Sequence, residues 1–211
     1  MTHPMASFRL VMAAILLMTA LLAQASVRAA DDVSPHELVR STISRMLTAM
    51  HEEQAAIKQN PDHLFELVSS IVLPYFDFER MSMWALGKNW RRATPEQRVR
   101  FVEQFHTLLV HTYGSALSEY SDEEIIYLPY VDDGKAGRVT VRTEIEQAGS
   151  TIPISYSLYQ SRDGWKVYDV AISGVSLVTN YRSTFGTIIR EKGMDSLIQQ
   201  LSDRNNDLTD G

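Results

Sequence analysis

The chain has 211 residues, no cysteine and a formal net charge of −6 at pH 7. The excess of acidic residues argues against a nucleic-acid partner and against tight electrostatic docking on anionic lipid head groups, since both require a basic surface. The absence of cysteine excludes disulfides and a cysteine-linked lipid anchor, so the fold must be stabilised by a packed core.

The first 25 residues have the order of a secretory signal peptide. Arg9 precedes an apolar run over residues 10–22, and small residues suited to cleavage follow at Ala25 and Ala29. The run of about 13 residues is shorter than the roughly 20 that span a bilayer, and a retained N-terminal anchor is the alternative. We expect an exported protein with a signal peptide over 1–25 (cleavage between residues 25 and 30), a single domain over 31–202 and a polar tail over 203–211.

The first half of the remaining chain predicts helices. Capping boxes at Ser34 and Thr94 open the first and the longest of them, and apolar residues recur at three- and four-residue spacing in both. We expect the first helix to run to about Gln59, and two shorter helices to end at Pro74 and Gly87. The apolar face of the longest helix consists of Phe101, Val102, Phe105, Leu108, Leu109, Tyr113 and Ala116.

The chain changes character near Ser121, where apolar and polar residues begin to alternate. This alternation is typical of strands that bury one face. A helix from about Leu177 to Gly193 and a short one from Asp195 come last, before a tail that we expect to be frayed from Asp203. Turn residues separate four predicted strands, at 125–131, 138–146, 151–158 and 165–172.

The order of helices, antiparallel strands and helices predicts an α+β fold. We expect a twisted antiparallel sheet of about four strands, with a helical layer over one face. The apolar faces of the sheet and the helices would then meet in the interior. Composition alone does not separate a filled core from a hollow one.

Motifs for catalysis, nucleotide binding and metal binding are missing from the sequence. There is no nucleophile elbow, phosphate-binding loop or dinucleotide fingerprint, and His106 and His111 are five residues apart, unlike a helical zinc pair. Asp169 is the one residue that suggests catalysis, because a carboxylate facing an apolar cavity would have a raised pKa and could act as a general base. The alternative is structural, with Asp169 paired with Arg182 or capping a nearby backbone.

Two groups of residues suggest contacts with a head group or a partner. Arg182 could hold a phosphate, because arginine makes bidentate bonds to such groups, and the alternative is a surface ion pair. Trp90, followed by Arg91 and Arg92, could contact a head group or a partner protein. The alternative is a core or rim aromatic for Trp90 and a solvated loop for Arg91 and Arg92.

Three segments, at residues 75–105, 108–120 and 164–201, carry a resemblance to a known family. They contain, in order, the motifs F-D-F-E-R-M, L-G-K-x-W-R, T-P-E-Q and G-V-S-L-V-x-N-Y-R-S-x-F. From about Ser34 to Leu201 the sequence resembles the periplasmic phospholipid-binding proteins of the Mla (maintenance of lipid asymmetry) transport system, also called the toluene-tolerance auxiliary family.

The resemblance implies a carrier that holds a phospholipid by its acyl chains between a curved sheet and helices. It implies shuttling between an outer-membrane lipoprotein–porin complex and an inner-membrane ABC transporter whose periplasmic subunit carries an MCE domain. It implies no catalytic residue and no cofactor, with bound phospholipid as cargo. A monomer in the periplasm is expected, with a fold that is NTF2-like in general shape and encloses an apolar lipid cavity.

The apolar pattern is our guide to the cavity, since the resemblance offers no compact motif for it. Trp90 and Arg182 are the expected rim or head-group contacts. The expected lining consists of Phe105, Leu108, Leu109, Tyr113, Val139, Val141, Ile152, Ile154, Tyr156, Leu158, Val167, Leu177, Val178, Tyr181 and Phe185.

Two other functions fit the residues. One is an NTF2-like enzyme that uses Asp169 as a general base on a small apolar substrate. The other is an interaction module with a filled core that bridges two envelope proteins. A structure without an internal cavity would favour the interaction module.

Overall fold

The computed structural model describes residues 33–118, 123–129, 131–132, 137–147 and 149–209, and every structural statement below concerns these residues. The predicted signal peptide and the predicted turn residues Asp133, Gly134 and Ala148 lie outside them. From Ser34 onward the described residues form one compact unit.

Seven helices are described, and several of them begin at a capping side chain. Ser34 accepts a hydrogen bond from a backbone amide three residues later (3.1 Å), as does Asp77 (2.8 Å). Thr94 and Gln97 form a reciprocal capping box, with bonds of 3.1 and 3.2 Å. The bonds of Ser34 and Thr94 confirm the two helix starts predicted from capping boxes. The helices are α1 Pro35–Glu52, α2 Gln54–Gln59, α3 Asp62–Ile71, α4 Phe78–Leu86, α5 Pro95–Ser118, α6 Leu177–Lys192 and α7 Met194–Thr209.

The predicted first helix is two helices in the structure. Glu53 leaves the helical conformation (φ −104°, ψ 15°), so α1 ends at Glu52. No residue of α2 is fully buried, and only Ile57 packs partly buried against a core cluster, so little packing favours one continuous helix. The helical sequence pattern continues to Gln59 because propensity does not show where tertiary packing stops.

The sheet is antiparallel throughout its described strands, which confirms the predicted α+β fold. The predicted strand over residues 125–131 is two short strands, and the last strand has no counterpart in the prediction. The strands are β1 Glu124–Tyr127, β2 Val131–Asp132, β3 Arg138–Gln147, β4 Ser150–Ser161, β5 Gly164–Ile172 and β6 Val175–Ser176. Their order is β1-β3-β4-β5-β6, and β2 also pairs with β3.

A two-residue turn joins β5 to β6. Ser173 (φ 49°) and Gly174 (φ 79°) both have positive φ, as the type I′ turn of tight hairpins requires. Ser176 pairs with Ala171 and also accepts a hydrogen bond from the Thr179 amide (3.0 Å), which caps α6. The chain therefore passes from sheet to helix within four residues, and α6 begins beside β5.

A β-bulge between β4 and β5 changes which residues of β5 face the interior. The pairing register shifts beside Leu158. Val167 and Val170 are therefore both buried although they are three residues apart, a spacing that simple alternation does not allow. Asp169 pairs with Ser157, on the opposite face of the sheet. The expectation that Asp169 faces an apolar cavity is wrong.

The buried apolar side chains form three clusters. In the helical cluster, the rings of Phe101, Phe105 and Phe185 pack with centroids 5.5 Å apart. The helical cluster consists of Met81, Ala85, Leu86, Phe101, Phe105, Leu108, Leu109, Val178, Phe185, Leu197, Ile198 and Leu201. The sheet cluster consists of Val39, Val139, Val141, Leu158, Val167, Val170 and Leu177, and the α1–α3 cluster of Met46, Leu64, Leu67 and Val68.

The last helix continues beyond its predicted end. Asn205 is buried, and its carboxamide donates to the Gln104 carbonyl and side-chain oxygens, each at 2.9 Å. These bonds attach the end of α7 to α5. The prediction of a frayed tail from Asp203 is therefore wrong as far as Thr209, where α7 ends.

Candidate functional site

Two cavities adjoin inside the described unit. The sheet cavity, of about 220 Å³, lies between α1 and the sheet. The helix cavity, of about 240 Å³, lies between the sheet and helices α3 to α6. No charged side chain among the described residues lines either cavity. Four side chains, which we call the divider, line both: Val72, Phe76, Ile154 and Tyr156.

One face of α1 forms the helical wall of the sheet cavity. Its lining residues recur at the three- and four-residue spacing that places side chains on one side of a helix. Alternate residues of β3 and β4 face α1 across the cavity, because every second side chain of a strand lies on the same face. The α1 residues are Leu38, Val39, Thr42, Ile43, Met46 and Leu47, and the strand residues are Thr143, Ile145, Ile154 and Tyr156.

The helix cavity is lined by α5 on one side and by the divider on the other. Leu109, Val110, Tyr113 and Gly114 occupy one face of α5. The divider is fixed to the sheet, because Phe76 forms a β-bridge with the strand β5 and the next backbone amide donates to a β5 carbonyl at 2.9 Å. The backbone that carries Phe76 in the wall between the two cavities is therefore held in place by its pairing with β5.

The lining side chains keep accessible surface although they are apolar and interior. Ile154 and Tyr156 on β4 are only half-buried, whereas Leu158 on the same strand and Val141 on the neighbouring strand β3 are 0% exposed. The first pair faces a cavity, and the second pair faces packed side chains. Each cavity exceeds the roughly 150 Å³ of an apolar cavity that stays dry and binds benzene. The lining therefore favours hydrocarbon over water.

Few polar atoms face the sheet cavity, and none of them carries a charge. Burial raises the pKa of the Tyr156 phenol, and the neighbouring Thr143 hydroxyl partly offsets this rise. The phenol therefore stays neutral at physiological pH. The Thr42 hydroxyl is buried and makes no hydrogen bond to a described residue. The cavity offers a ligand dipoles and dispersion contacts only.

Cationic side chains lie at the margin of the sheet cavity. Arg45 is exposed, donates to the Tyr75 hydroxyl (3.1 Å) and lies 5.6 Å from the centre of the Tyr75 ring. Tyr75 itself lines the cavity. Lys166 donates to the Pro74 carbonyl (2.6 Å), next to Tyr75 in the chain. Two positive charges thus lie beside the segment that contributes Tyr75 to the cavity lining.

The sequence of the chain matches a known family over most of its length. The family model described as "MlaC protein" matches residues 40–203. The chain belongs to the MlaC family.

Two curated relatives agree with membership of the MlaC family. The intermembrane phospholipid transport system binding protein MlaC of Haemophilus influenzae is 29% identical over 175 residues, which are 81% of each chain. The toluene tolerance protein ttg2D of Pseudomonas putida is 30% identical over 164 residues, which are 77% of this chain and 76% of that one.

A solved structure shares the fold of this MlaC-family chain. It is the phospholipid-binding protein from Ralstonia solanacearum, determined in complex with a phospholipid. The TM-score is 0.75 at 31% sequence identity, and the match covers 82% of this chain and 97% of the Ralstonia chain.

The structure places six of the expected MlaC cavity residues in a lining. Eight of the others are interior but contact packed side chains, because periodicity identifies the inner face of an element without showing what lies opposite. Lining one or both cavities are Leu109, Tyr113, Ile154, Tyr156, Val167 and Leu177. Phe105, Leu108, Val178 and Phe185 lie in the helical cluster, with Tyr181 packed against it, and Val139, Val141 and Leu158 lie in the sheet cluster.

Three further expected contacts lie away from both linings. Ile152 pairs with Ile145 near the end of the β3–β4 hairpin. Trp90 packs against the helical cluster under the Arg98 guanidinium, which lies 5.3 Å from its ring centre. Arg182 is exposed, and its guanidinium lies against Gly87, so closely that a Cβ added there would be 2.7 Å from it.

Sequence reasoning missed the contribution of α1 to the cavity. Ile43, Met46 and Leu47 belong to its apolar stripe, which predicts an inner face without assigning it to a site, and Leu38 beside the stripe lines the cavity as well. It also missed Arg45 and Lys166, the two cations at the margin of the sheet cavity. Arg45 meets Tyr75 across 30 positions of sequence, and no local pattern reports such a contact.

Asp169 has a structural role in this MlaC-family chain. Its carboxylate accepts a hydrogen bond from the Ser176 hydroxyl (2.6 Å) and one from the Val178 amide (3.3 Å). The second of the two structural alternatives, backbone capping, is the one observed. Asp169 lines neither apolar cavity, so the geometry gives the general-base hypothesis no support.

Two further observations concern membranes and metals. No helix in the described ranges is long and apolar enough to cross a membrane. Within those ranges, no three histidine, aspartate or glutamate side chains lie close enough together to hold a metal ion.

The two cavities argue against the interaction module with a filled core, because that hypothesis predicts an interior without cavities.

Proposed function

We propose that this MlaC-family chain is a periplasmic phospholipid carrier whose two adjoining cavities hold the acyl chains. The observation on which this proposal rests is the pair of apolar cavities, neither of which has a charged residue in its described lining. The phospholipid bound to the Ralstonia relative and the transport system named for the Haemophilus relative support it. Residues of α1, together with Val72 and Phe76 of the divider, extend the expected lining.

Each cavity receives one acyl chain in this proposal, with the divider between the two chains. The glycerol and the phosphate then lie at the margin of the sheet cavity, near Arg45 and Lys166. Both side chains are anchored by a hydrogen bond to the segment 73–75, so they are held at the margin. These two residues replace Trp90 and Arg182 as the proposed head-group contacts.

The free energy of burial explains why such a carrier needs partners. Burial of one methylene contributes about 0.8 kcal/mol, so roughly 30 methylenes contribute about 24 kcal/mol relative to water. A bilayer offers the same chains a similar environment, and exchange between bilayer and cavity is therefore nearly balanced. The direction of lipid transport must therefore be set by the membrane proteins that load and unload the carrier.

The proposed partners are an inner-membrane ABC transporter with an MCE-domain subunit and an outer-membrane lipoprotein–porin complex. Membership of the MlaC family and the intermembrane transport named for the Haemophilus relative support this proposal. We propose that the carrier acts as a monomer, without catalysis or a cofactor, and that phospholipid is its only cargo.

The periplasmic location rests on the N-terminal pattern of the sequence. We propose that the segment ending between residues 25 and 30 is removed on export, and that residues 31–202 form the lipid-binding domain. N-terminal sequencing of protein isolated from the periplasm tests this. A mature chain that still begins at Met1 would contradict it.

Lipid analysis of protein purified without detergent tests the carrier function. Solvent extraction and mass spectrometry should show diacyl phospholipid in about equimolar amount. Because no charged residue lines the cavities, several head groups should appear, roughly in proportion to their abundance in the membrane. Protein that is lipid-free and also takes no phospholipid from vesicles would overturn the proposal.

A further inference from the structure

A third pocket, of about 470 Å³, lies apart from the two apolar cavities and shares no lining residue with them. It lies between the turn Gly87–Asn89 with the loop after it and the C-terminal half of α6. Three cations line it: Lys88, Arg92 and Arg190. We call it the basic pocket. Lys88 belongs to the L-G-K-x-W-R motif, and neither the carrier function nor the core accounts for this residue.

The positive charge of the basic pocket is uncompensated. In the part of the chain that the structure describes, Lys88, Arg92 and Arg190 make no ion pair, since the ion pairs there involve other cations. Arg190 donates to the Thr187 hydroxyl (3.2 Å), and the nearby acid Asp195 is bound to Arg100. Three unpaired cations around one concavity attract anions, and they do so on a chain of net charge −6.

A buried carboxamide also lines the basic pocket. Asn89 is 8% exposed and is one of the residues that line the pocket. A carboxamide has two N–H donors, so Asn89 can donate a hydrogen bond to an anionic ligand inside the pocket.

A glycine within α6 leaves room in the basic pocket. Glycine is unfavourable in a helix interior relative to alanine, so Gly186 needs a reason. A Cβ built at Gly186 meets no other atom within 4 Å, so tight packing is not that reason. The missing side chain keeps this wall of the pocket open.

We propose that the basic pocket binds a phosphate monoester. Three cations match a dianion better than a singly charged carboxylate, and arginine binds phosphate oxygens in bidentate fashion. Asn89 donates to a further oxygen, and the apolar side chains of Ile189 and Met194 contact the organic part of the ligand. The phosphate belongs either to a small soluble ester or to a lipid head group at a membrane surface.

Titration of the full mature protein tests binding in solution. Calorimetry with inorganic phosphate and with glycerol 3-phosphate should show one saturable site, with the ester bound more tightly. Arg92→Gln or Arg190→Gln should weaken binding about tenfold or more, since a charge-assisted hydrogen bond is lost. Gly186→Leu should abolish binding by filling the pocket. The matched control Arg162→Gln, on the exposed β4–β5 turn, should leave the affinity unchanged.

Vesicle sedimentation separates the two sources of phosphate. Binding to phosphatidylcholine vesicles that contain phosphatidic acid, lost in Arg92→Gln, would show that the head group is the ligand. Binding of the soluble ester alone would show a free metabolite. Circular dichroism and the phospholipid content should be unchanged in Arg92→Gln, which keeps this test separate from the acyl-chain site. The proposal would be overturned if no phosphate probe showed saturable binding, or if Arg162→Gln lost as much affinity as Arg92→Gln. It would also be overturned if the pocket bound polyglutamate but no phosphate probe, and Gly186→Leu abolished that binding.

Discussion

Ile154 and Val141 lie on neighbouring strands but have different surroundings. Ile154 is half-buried in the divider, whereas Val141 is 0% exposed in the sheet cluster. A carboxylate at position 154 can be hydrated once a cavity admits water. At position 141 it would displace packed side chains and remain without a partner, which costs several kcal/mol.

We therefore predict opposite outcomes for the two aspartate variants. Ile154→Asp should keep its circular dichroism spectrum and lose bound phospholipid, whereas Val141→Asp should fail to fold. Solvent extraction and circular dichroism on the same samples measure both effects. Unfolding of Ile154→Asp under conditions that leave Ile154→Ala folded would show that the divider is part of a solid core.

Asp169 stabilises the start of α6, and its removal should affect stability only. Asp169→Ala removes the acceptor of the Ser176 and Val178 hydrogen bonds, so the free energy of unfolding should fall by about 1–3 kcal/mol. Phospholipid content should be unchanged. Urea denaturation measures the first effect, and Asp163→Ala, at an exposed turn, is the control with little expected change. Loss of lipid from folded Asp169→Ala would contradict the purely structural role.

Residues whose partners are close in sequence could be predicted, and residues whose partners are distant could not. The capping roles of Ser34 and Thr94 follow from neighbours three positions away. The orientation of Asp169 depends on a bulge in the pairing of β4 with β5, and the single-strand pattern of β5 does not contain that information. Arg45 reaches the cavity margin through Tyr75, which likewise requires the tertiary fold.

At the scale of elements, a histidine connects the junction of α1 and α2 to α3. His63 on α3 is hydrogen-bonded to Glu53 at the junction and to Glu66 on α3. These bonds, that to Glu53 first, raise the pKa of His63 above its usual value near 6.5. The link therefore stabilises the fold fully below the unfolded-state pKa, and this stabilisation is lost as the pH rises through the folded-state pKa.

We expect this link to make the local order of α2 depend on pH. No α2 residue is fully buried, and Ile57 alone of α2 packs against the α1–α3 cluster among the described residues. The His63–Glu53 bond adds a polar contact at the residue that precedes α2. Amide protection of α2, corrected for intrinsic exchange rates, should fall as the pH rises through the folded-state pKa of His63. His63→Gln should abolish this dependence, and His51→Gln, on exposed α1 surface, should preserve it. An unchanged pH dependence in His63→Gln would show that the link does not order α2.

The elements themselves could be predicted where periodicity and caps agree, as for α5 and the three long strands. The assembly of these elements around two internal cavities could not be predicted. The apolar stripe of α1 has the same appearance whether it meets side chains, as Met46 does in part, or a cavity, as Ile43 does. The difference depends on the distance between α1 and the sheet, which no one-dimensional pattern specifies.

At the scale of the whole molecule, a solid helical half accompanies a hollow half. The helical cluster is filled by stacked and edge-on aromatic rings and contains no part of the sheet. The two cavities lie between this cluster, the sheet and α1. Most of the cooperative packing is therefore independent of the ligand, so lipid can leave without global unfolding.

Delipidated protein should accordingly remain folded with a lower Tm. A ligand at 100 times its Kd stabilises a fold by about 2.7 kcal/mol, and for a domain of this size that corresponds to roughly 5–10 °C. Far-ultraviolet circular dichroism should be nearly unchanged, and re-addition of phospholipid should restore the Tm. A control incubation with glycerol should restore nothing. A delipidated chain without helical signal would show that the lipid is required for folding.

The divider has a further consequence for which lipids fit. A side chain such as Phe76 that forms a wall of both cavities cannot move toward one without leaving the other. A thicker or kinked acyl chain in one cavity therefore reduces the volume of the other cavity, and a thinner chain increases that volume. Under the proposed binding mode, the affinities for the two chains are coupled and reciprocal. The protein would then respond to the combined cross-section of both acyl chains and not to either chain alone.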